Sequence, residues 1–338
     1  MKKTLLLSIL FSVCCLSVLP SCVREKETPW RDTSNGVLQI KAPAYSLRNQ
    51  LIKIEATGIN WPLDPTYTWT IGLISNDTLV GNPIIARLPD TTGSISIYLK
   101  IVKDGFFDTN GYGSTVALDT SAANNSLTGR VYTADTYVDQ IDHYLYHTTK
   151  VGNLEWFADN LAWDGVGKAF KDAEATKYFF GRLYTWDEAT GGESASGLGN
   201  GPQGACPPGW SVPTAEDWED FGMAVNGGEQ VSFLDNWEGL GEKVTVEAMY
   251  FNEKMWPYSP DHNHGNMFNW NAIPAGYSFI DNYITKGFKD YALWWSSTEK
   301  DEDLAYFRSI YSQIPDFNVS YTDKTDFRVS VRCVRKIN

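Results

Sequence analysis

The most patterned stretch of this 338-residue chain begins Cys206-Pro207-Pro208-Gly209-Trp210 and continues Ser211-Val212-Pro213-Thr214-Ala215-Glu216-Asp217-Trp218. Thr214 has the hydroxyl of a helix N-cap, and Asp217 follows three residues later, where a capping box usually has glutamate. The pattern predicts a helix through about Ala224 that places Trp218 and Phe221 on one face.

The cysteines form two groups along the chain. Cys14, Cys15 and Cys22 lie in or at the end of an N-terminal leader, whereas Cys206 and Cys333 remain in the mature form. Two distant thiols in an exported chain predict a single disulfide. On the chain-entropy model, a loop of about 125 residues closed in this way stabilises the fold by about 5 kcal/mol. The alternative is two independent buried thiols.

The leader begins Met1-Lys2-Lys3 and has an apolar run from Leu5 to Leu19, which is typical of a secretory signal. The run is too short for a permanent membrane-spanning helix. It ends Leu19-Pro20-Ser21-Cys22, which resembles the bacterial lipoprotein signal, in which the cysteine becomes the lipidated first residue. We predict a signal peptide at residues 1–21, lipidation of Cys22 with fatty acids such as palmitate, and a flexible tether at residues 22–36. The alternative is an ordinary secreted protein.

The charge of the chain limits the classes of partner. The net charge is −13 at neutral pH, and removal of the leader takes away two lysines and no acids. Nucleic acids favour clustered lysine and arginine, so we exclude them as partners. The predicted partners are a glycan or a surface protein, together with the membrane that holds the lipid anchor.

Short alternating runs separated by turn residues occupy residues 37–125 and predict an all-β domain. In Ile95–Ile101 apolar side chains recur at every second position, as in a half-buried strand, and Ile52–Ala56 and Tyr67–Ile71 alternate likewise. Several strands in so short a region favour a small β-sandwich. The Tyr67-Thr68-Trp69 run and the later Tyr98–Gly105 run resemble immunoglobulin-like domains of the polycystic-kidney-disease (PKD) type, which implies a spacer or a contact surface.

Residues 130–338 hold ten of the 13 tryptophans and a series of longer motifs. The motifs are Leu154–Leu161, Gly181–Ala189, Cys206–Trp218, Ile273–Tyr277 and Trp294–Thr298. Their order resembles the Fibrobacter succinogenes major paralogous domain family of exported and surface proteins. The resemblance implies an α+β fold related to C-type-lectin-like domains and to formylglycine-generating enzymes, with long loops. It also places Cys206 and Cys333 at the family's paired positions.

Tryptophan positions suggest where a ligand could bind, because aromatic faces stack on sugar rings. We interpret the tryptophans inside or equivalent to family motifs as core residues: Trp156, Trp186, Trp210, Trp218, Trp270, Trp294 and Trp295. Trp163, Trp237 and Trp256 fall outside the motifs and are the candidates for an exposed binding face.

The run Met255–Asn266 has no regular period and predicts a long surface loop. Our hypothesis is that Trp256, Tyr258 and Asn263 of this loop contact a glycan or a partner protein. The alternative is a loop packed over the core.

The same loop offers Asp261, His262 and His264 as weak metal candidates, but no fourth ligand can be named, so no metal or cofactor is predicted. The Glu-Pro-Asn and Trp-Asn-Asp calcium signatures of C-type lectins are missing, although other oxygen-rich loops leave calcium open. His143 and His147 flank a strand and are interpreted as structural.

No catalytic motif is recognisable, and no catalytic residue is predicted. If Cys206 and Cys333 form a bridge, no thiol is left for the copper chemistry of formylglycine-generating enzymes. The sequence therefore predicts a lipoprotein on the cell exterior, anchored in the outer membrane, that binds a glycan or surface partner in polysaccharide capture or adhesion. The alternatives are a structural adhesin or pilus-tip subunit and a hydrolase with an unrecognised site.

Overall fold

The computed structural model of the chain describes residues 35–60, 64–72, 78–121, 123–257 and 263–337. The predicted signal peptide, the predicted lipidation of Cys22 and most of the predicted tether lie outside these residues and stay predictions. Within them, strands far outnumber helices and form several sheets. None of the helices described is both long and apolar enough to cross a lipid bilayer.

The described residues from 35 to 118, called the N-terminal part below, form eight strands. They are β1 (Asn35–Lys41), β2 (Tyr45–Leu47), β3 (Leu51–Asn60), β4 (Thr66–Ile71), β5 (Leu79–Val80), β6 (Ile84–Arg87), β7 (Gly93–Val102) and β8 (Thr109–Leu118). One sheet has the order β1-β3-β6, and the other has the order β2-β8-β7-β4-β5. Side chains from both sheets share one core, which includes Ile54, Trp69 and Leu99. Two sheets over one core are consistent with the expected sandwich.

Alternation of apolar residues explains these strands. In β7, Ile95, Ile97 and Leu99 are buried, whereas Ser96 and Lys100 are exposed. Successive side chains of a strand point to opposite faces, so each alternating run buries one face and leaves the other exposed. The strands predicted from the three alternating runs are confirmed.

The described residues from 127 to 337, called the C-terminal part below, form fifteen further strands and four short α-helices. The strands are β9 (Leu127–Thr128), β10 (Thr136–Val138), β11 (Leu145–Val151), β12 (Leu154–Phe157), β13 (Lys168–Ala169), β14 (Arg182–Leu183), β15 (Met249–Tyr250), β16 (Glu253–Lys254), β17 (Tyr277–Phe279), β18 (Asn282–Lys286), β19 (Tyr291–Glu299), β20 (Leu304–Tyr311), β21 (Ile314–Asp323), β22 (Phe327–Arg328) and β23 (Val334–Lys336). The helices are α1 (Lys177–Phe180), α2 (Trp186–Thr190), α3 (Ala215–Val225) and α4 (Leu240–Val244).

Small antiparallel sheets connect distant segments of the C-terminal part. The sheet β10-β11-β12-β23 pairs Leu154–Trp156 with Val334–Lys336 and so brings the end of the chain back to its first long hairpin. The longest strands form the sheet β19-β20-β21. Two shorter sheets have the orders β16-β15-β9 and β18-β17-β22, and β13 pairs with β14.

Helix α3 begins where the sequence predicts. The Thr214 hydroxyl accepts a hydrogen bond from the Asp217 backbone N–H at 3.2 Å, and the Asp217 carboxylate accepts one from the Thr214 N–H at 2.9 Å. Trp218 and Phe221 are fully buried, with ring centroids 4.9 Å and 5.1 Å from that of Trp156. Burial of one such side chain contributes about 2–3 kcal/mol, so the shared face fixes the helix against the core.

A disulfide joins Cys206 to Cys333, with Cα atoms 5.9 Å apart. Both cysteines lie in a core cluster that also contains Trp210 and Phe157. The Phe157 N–H donates to the Cys333 carbonyl at 2.9 Å, next to the pairing of β12 with β23. The bridge therefore ties the segment before α3 to the C-terminal strand, and the alternative of two independent thiols is wrong.

The N-terminal part packs directly against the C-terminal part. The ring centroid of Tyr45 lies 5.7 Å from that of Phe170. Leu118 and Leu127 are both buried in the largest core cluster of the C-terminal part, and β9 pairs with β15. The connection between the two parts is thus part of a core.

Candidate functional site

A surface pocket of about 290 Å³ lies between the end of α3 and the start of α4. Six polar side chains line it: Asn226, Gln230, Ser232, Asp235, Asn236 and Glu238. Trp237 and Leu240 supply apolar wall. Because amide, hydroxyl and carboxylate groups alternate along one short loop, the pocket can offer both donors and acceptors to a polar ligand.

Trp237 fixes the pocket loop to the rest of the fold. Its backbone exchanges two 3.0 Å hydrogen bonds with Phe317 of β21, and its indole N–H donates to the Ser232 carbonyl at 2.9 Å. A Cβ at Gly222 of α3 would approach the Trp237 ring to 2.7 Å, so only glycine permits this packing. Trp237 is 3% exposed, so it supports the pocket wall and cannot stack on a sugar.

Arg308 of β20 supports the pocket loop from the interior. Its Nη1 donates to the carbonyls of Phe233 and Asp235, both at 3.0 Å, and its Cζ lies 3.3 Å from the ring centroid of Trp237. The side chain is fully buried, and desolvation lowers the pKa of Arg308 to about 9. A guanidinium held under the loop backbone keeps the side chains of Asp235 and Asn236 at the surface, where both are exposed.

Further hydrogen bonds hold the far side of the pocket. The Asn236 side-chain carbonyl accepts from the Val319 N–H at 3.0 Å, and the Asp316 carboxylate accepts from the Gly239 N–H at 2.9 Å. These bonds order the loop before any ligand arrives, which lowers the entropy lost on binding. Chemically the pocket is suited to hydrogen bonding of a ligand with many hydroxyls. No group of three or more His, Cys, Asp or Glu residues that could hold a metal ion occurs among the described residues.

A second polar cluster surrounds the buried carboxylate of Asp159. Arg130 Nη1 lies 3.1 Å from Asp159 Oδ1, and the Tyr132 hydroxyl donates to the same oxygen at 2.7 Å. His147 Nδ1 lies 2.8 Å from Asp159 Oδ2, and the His147 ring stacks on that of Tyr132 at 3.6 Å. The Val131 N–H donates to the Asn271 side chain at 2.9 Å. The cluster therefore attaches the segment entering the C-terminal part to its core, in line with a structural His147.

This cluster predicts a pH dependence of stability. Burial alone raises the pKa of Asp159, but the hydrogen bond from His147 and the positive charge of Arg130 outweigh burial and lower the pKa to about 2. A lowered pKa in the folded state stabilises the fold above about pH 4, and that stability is lost as the pH falls towards 2. We expect urea unfolding to show a loss of about 2 kcal/mol over this range that Asp159→Asn removes.

The control for this prediction is Asp104→Asn, because Asp104 is exposed on a turn of the N-terminal part. This variant should keep the parental pH profile. If Asp159→Asn retains the same fall in stability between pH 4 and 2 as the parent, the assignment to Asp159 is wrong.

Two of the predicted aromatic candidates for an exposed face are buried, and that part of the prediction is wrong. Trp237 and Trp256 are each 3% exposed and both belong to the largest core cluster. The Trp256 indole N–H donates to the Ala272 carbonyl at 3.4 Å. Trp163 is half-buried against the other cluster of the C-terminal part. The three side chains therefore do not form one exposed aromatic face.

Some of the other candidate residues of this loop lie within the described residues, and others do not. Tyr258, Asp261 and His262 lie outside the described residues, so the predictions for them stay predictions. The Asn263 N–H donates to the Glu242 carboxylate at 3.0 Å, and its side chain is exposed. His264 is half-buried, with Nδ1 3.0 Å from the Thr245 hydroxyl. These bonds attach the end of the loop to α4 and the residue after it.

Sequence reasoning selected Trp237 but missed the polar residues around it. The signal available was the run Gly227-Gly228-Glu229-Gln230 directly after a predicted helix, which is typical of an exposed turn. The prediction rested on tryptophans because aromatic faces stack on sugar rings, whereas the amide and carboxylate side chains that reach the surface carry the polar chemistry.

The sequence of the chain matches one known protein family. The sequence model described as the Fibrobacter succinogenes major domain matches residues 149–335, more than half of the chain. The chain belongs to the Fibrobacter succinogenes major domain family. The matched range starts within β11, ends within β23 and contains both bridged cysteines, the 226–240 pocket and Arg308. Arg130, Tyr132 and His147 precede it.

No curated protein and no solved structure matches the chain.

Proposed function

We propose that the chain is an exported, lipid-anchored protein that binds a glycan through the 226–240 pocket. The single observation that carries the proposal is the composition of that pocket: six polar residues of an ordered loop line one surface depression. Ligand sites combine a preformed concave shape with a few placed polar groups, and a sugar presents many hydroxyls that need both donors and acceptors.

The charges around the pocket favour a glycan without acidic groups. Asp235 and Glu238 are exposed at the pocket, and the buried Arg308 lies behind the loop with its Nη1 hydrogen-bonded to backbone carbonyls. A carboxylate or sulfate on the ligand would meet like charges at the entrance, which disfavours binding. Neutral sugars avoid this repulsion.

The affinity expected from such a pocket is modest. Hydrogen bonds to exposed groups exchange with water and contribute only about 0.5–1.5 kcal/mol each, and no exposed aromatic ring adds stacking at this pocket. We therefore expect a dissociation constant between about 10 µM and 1 mM. Such weak binding is compensated when many copies of a protein on one surface bind the same polymer. A lipid anchor at Cys22 would supply that arrangement at the outer membrane.

The two parts of the structure support a domain assignment that belongs to the same proposal. We assign residues 37–125 to an immunoglobulin-like or PKD-like sandwich, because two sheets enclose one core. We assign residues 130–338 to an α+β domain of the C-type-lectin-like type. Support comes from the short helices α2 and α3, the small antiparallel sheets, the paired chain ends and the disulfide near the C-terminus.

A glycan array on the mature chain, followed by analysis of the bound sugars for cleavage, tests the proposal. We expect specific binding of neutral glycans and full recovery of the uncleaved ligand. Release of shorter products would instead favour the hydrolase alternative. Absence of binding to every glycan, with assembly into larger complexes, would favour the structural adhesin.

A further inference from the structure

The outer face of the five-stranded sheet in the N-terminal part carries exposed side chains on two of its inner strands, β7 and β8, within the described residues. Tyr98 of β7 lies opposite Tyr112 of β8 and opposite Thr70 of β4. In the next row Lys100 lies opposite Asn110 and Thr68. Their neighbours Ile97 and Leu99 are buried in the core, so these rows point away from it.

Two tyrosines dominate this face, which we call the Tyr98–Tyr112 face. Tyr112 is 79% exposed, the most exposed large apolar side chain among the described residues. Its ring centroid lies 5.1 Å from that of Tyr98, and the Tyr98 hydroxyl donates to the Asn110 side chain at 2.7 Å. The neighbouring ring and the hydrogen bond limit the motion of both tyrosines, so little side-chain entropy is lost when a ligand stacks on them.

Among the described residues, hydroxyl side chains and one paired lysine surround the two rings. Lys100 Nζ lies 3.1 Å from the Asp108 carboxylate, which neutralises the cation of this face. Ser96 and Ser114 lie opposite each other beside the tyrosine row, and both are exposed. An exposed ring flanked by hydroxyl and amide groups matches the alternating apolar and polar surface of a neutral sugar.

One end of the same face is already covered. Val116, four residues beyond Tyr112 on β8 and on the same side of the strand, packs against the core of the C-terminal part together with Tyr45. At about 3.3 Å per residue, Tyr112 lies roughly 13 Å from that contact along the strand. A polysaccharide chain bound along β8 at the tyrosines could therefore extend past the sheet and lie beside the C-terminal part.

We propose that the Tyr98–Tyr112 face binds a neutral polysaccharide chain, as a second contact independent of the 226–240 pocket. A protein partner would need a larger apolar centre than the two rings and the exposed Val80 provide, because the other side chains in these rows are threonine, serine, asparagine and the paired Lys100. An anionic chain would gain nothing from a lysine already paired with Asp108. The N-terminal part thereby acts as a binding module and not only as a spacer.

Affinity gel electrophoresis of the full mature chain tests this proposal, with xylan, mannan, β-glucan and starch as neutral probes and polygalacturonan as the anionic one. We expect at least one neutral probe to retard the parent. Tyr112→Ala should weaken that retardation about fivefold or more, and Tyr112→Phe, which keeps the ring, should stay within about twofold of the parent.

The matched control is Tyr178→Ala, because Tyr178 is also an exposed tyrosine but lies on α1 of the C-terminal part. Melting curves of each variant show that the fold is retained. The proposal is overturned if Tyr112→Ala is retarded like the parent, if polygalacturonan alone retards the parent, or if no neutral probe does. If Asp235→Ala in the pocket abolishes the retardation and Tyr112→Ala does not change it, the pocket is the binding site and the proposal for the Tyr98–Tyr112 face is wrong.

Discussion

Replacing Arg332 by methionine lowers the free energy of unfolding by about 3–5 kcal/mol. Arg332 is 1% exposed and donates to four carbonyl groups. Its Nε donates to the Asn160 side chain at 2.8 Å, Nη1 donates to the Phe157 and Trp270 carbonyls, and Nη2 donates to the Asn271 carbonyl at 3.0 Å. Methionine fills similar space but leaves three buried backbone carbonyls without their arginine donor, at about 1–3 kcal/mol for each poorly solvated group. The Asn160 side-chain oxygen keeps its 2.9 Å hydrogen bond from the Trp294 indole N–H.

Arg332 also explains why tryptophans surround the end of the chain. Its Cζ lies 4.3 Å from the ring centroid of Trp270 and 5.7 Å from that of Trp294. Burial lowers the pKa of Arg332 to about 9, so the cation depends on ring faces and carbonyl oxygens in place of water. The side chain thereby joins β12, the segment around Trp270 and the C-terminal segment in one network.

The matched control for this prediction is Arg335→Met, three residues further along. Arg335 is 39% exposed at its side chain, and its Nη2 lies 2.7 Å from the Glu155 carboxylate. Arg335 is partly open to water, so this ion pair should contribute about 1 kcal/mol, and the variant should lose clearly less than Arg332→Met. If urea unfolding shows that the two variants lose the same free energy of unfolding, the buried hydrogen bonds of Arg332 contribute no more than the Arg335–Glu155 ion pair.

Removing the disulfide is the second large effect. The double variant Cys206→Ala/Cys333→Ala should lose about 3–5 kcal/mol, because the bridge restricts a long loop of the unfolded chain. The two cysteines are separated by 127 residues in sequence, which sets the length of that loop. Both are buried, and alanine is smaller than cysteine, so the two substitutions introduce no steric clash in the folded state.

Reduction provides an internal check on that loss. Dithiothreitol should lower the melting temperature of the parent towards that of the double variant and leave the double variant unchanged. A parent whose unfolding in urea is the same with and without reductant would contradict a stabilising role for the bridge.

Local features of the fold were predictable from the sequence. The capping box at Thr214 and Asp217 involves residues three apart, and the strands of the N-terminal part follow from alternation within single runs. The Cys206–Cys333 pairing followed because the other three cysteines lie in the predicted leader or at the predicted lipidation site. In each case the deciding interaction is short-range or has one possible partner.

Long-range features were not predictable in the same way. Asp159 contacts Arg130, Tyr132 and His147, which lie up to 29 residues away in sequence. Arg332 donates hydrogen bonds to acceptors in two segments that are distant in sequence. Trp256 and Trp237 look alike as isolated tryptophans in polar loops, yet each is drawn into the core by packing that no local pattern encodes. The pocket depends on the same packing, because Arg308 from β20 holds the 230–238 loop from behind.

Isothermal titration calorimetry of the mature chain with the strongest neutral oligosaccharide from the glycan array tests the central claim most directly. The parent, Asp235→Ala, Gln230→Ala and the exposed control Asp303→Ala are compared. Glycan binding in the 226–240 pocket predicts that both pocket variants bind about three- to tenfold more weakly and that Asp303→Ala binds like the parent. Parental affinity in both pocket variants would contradict it.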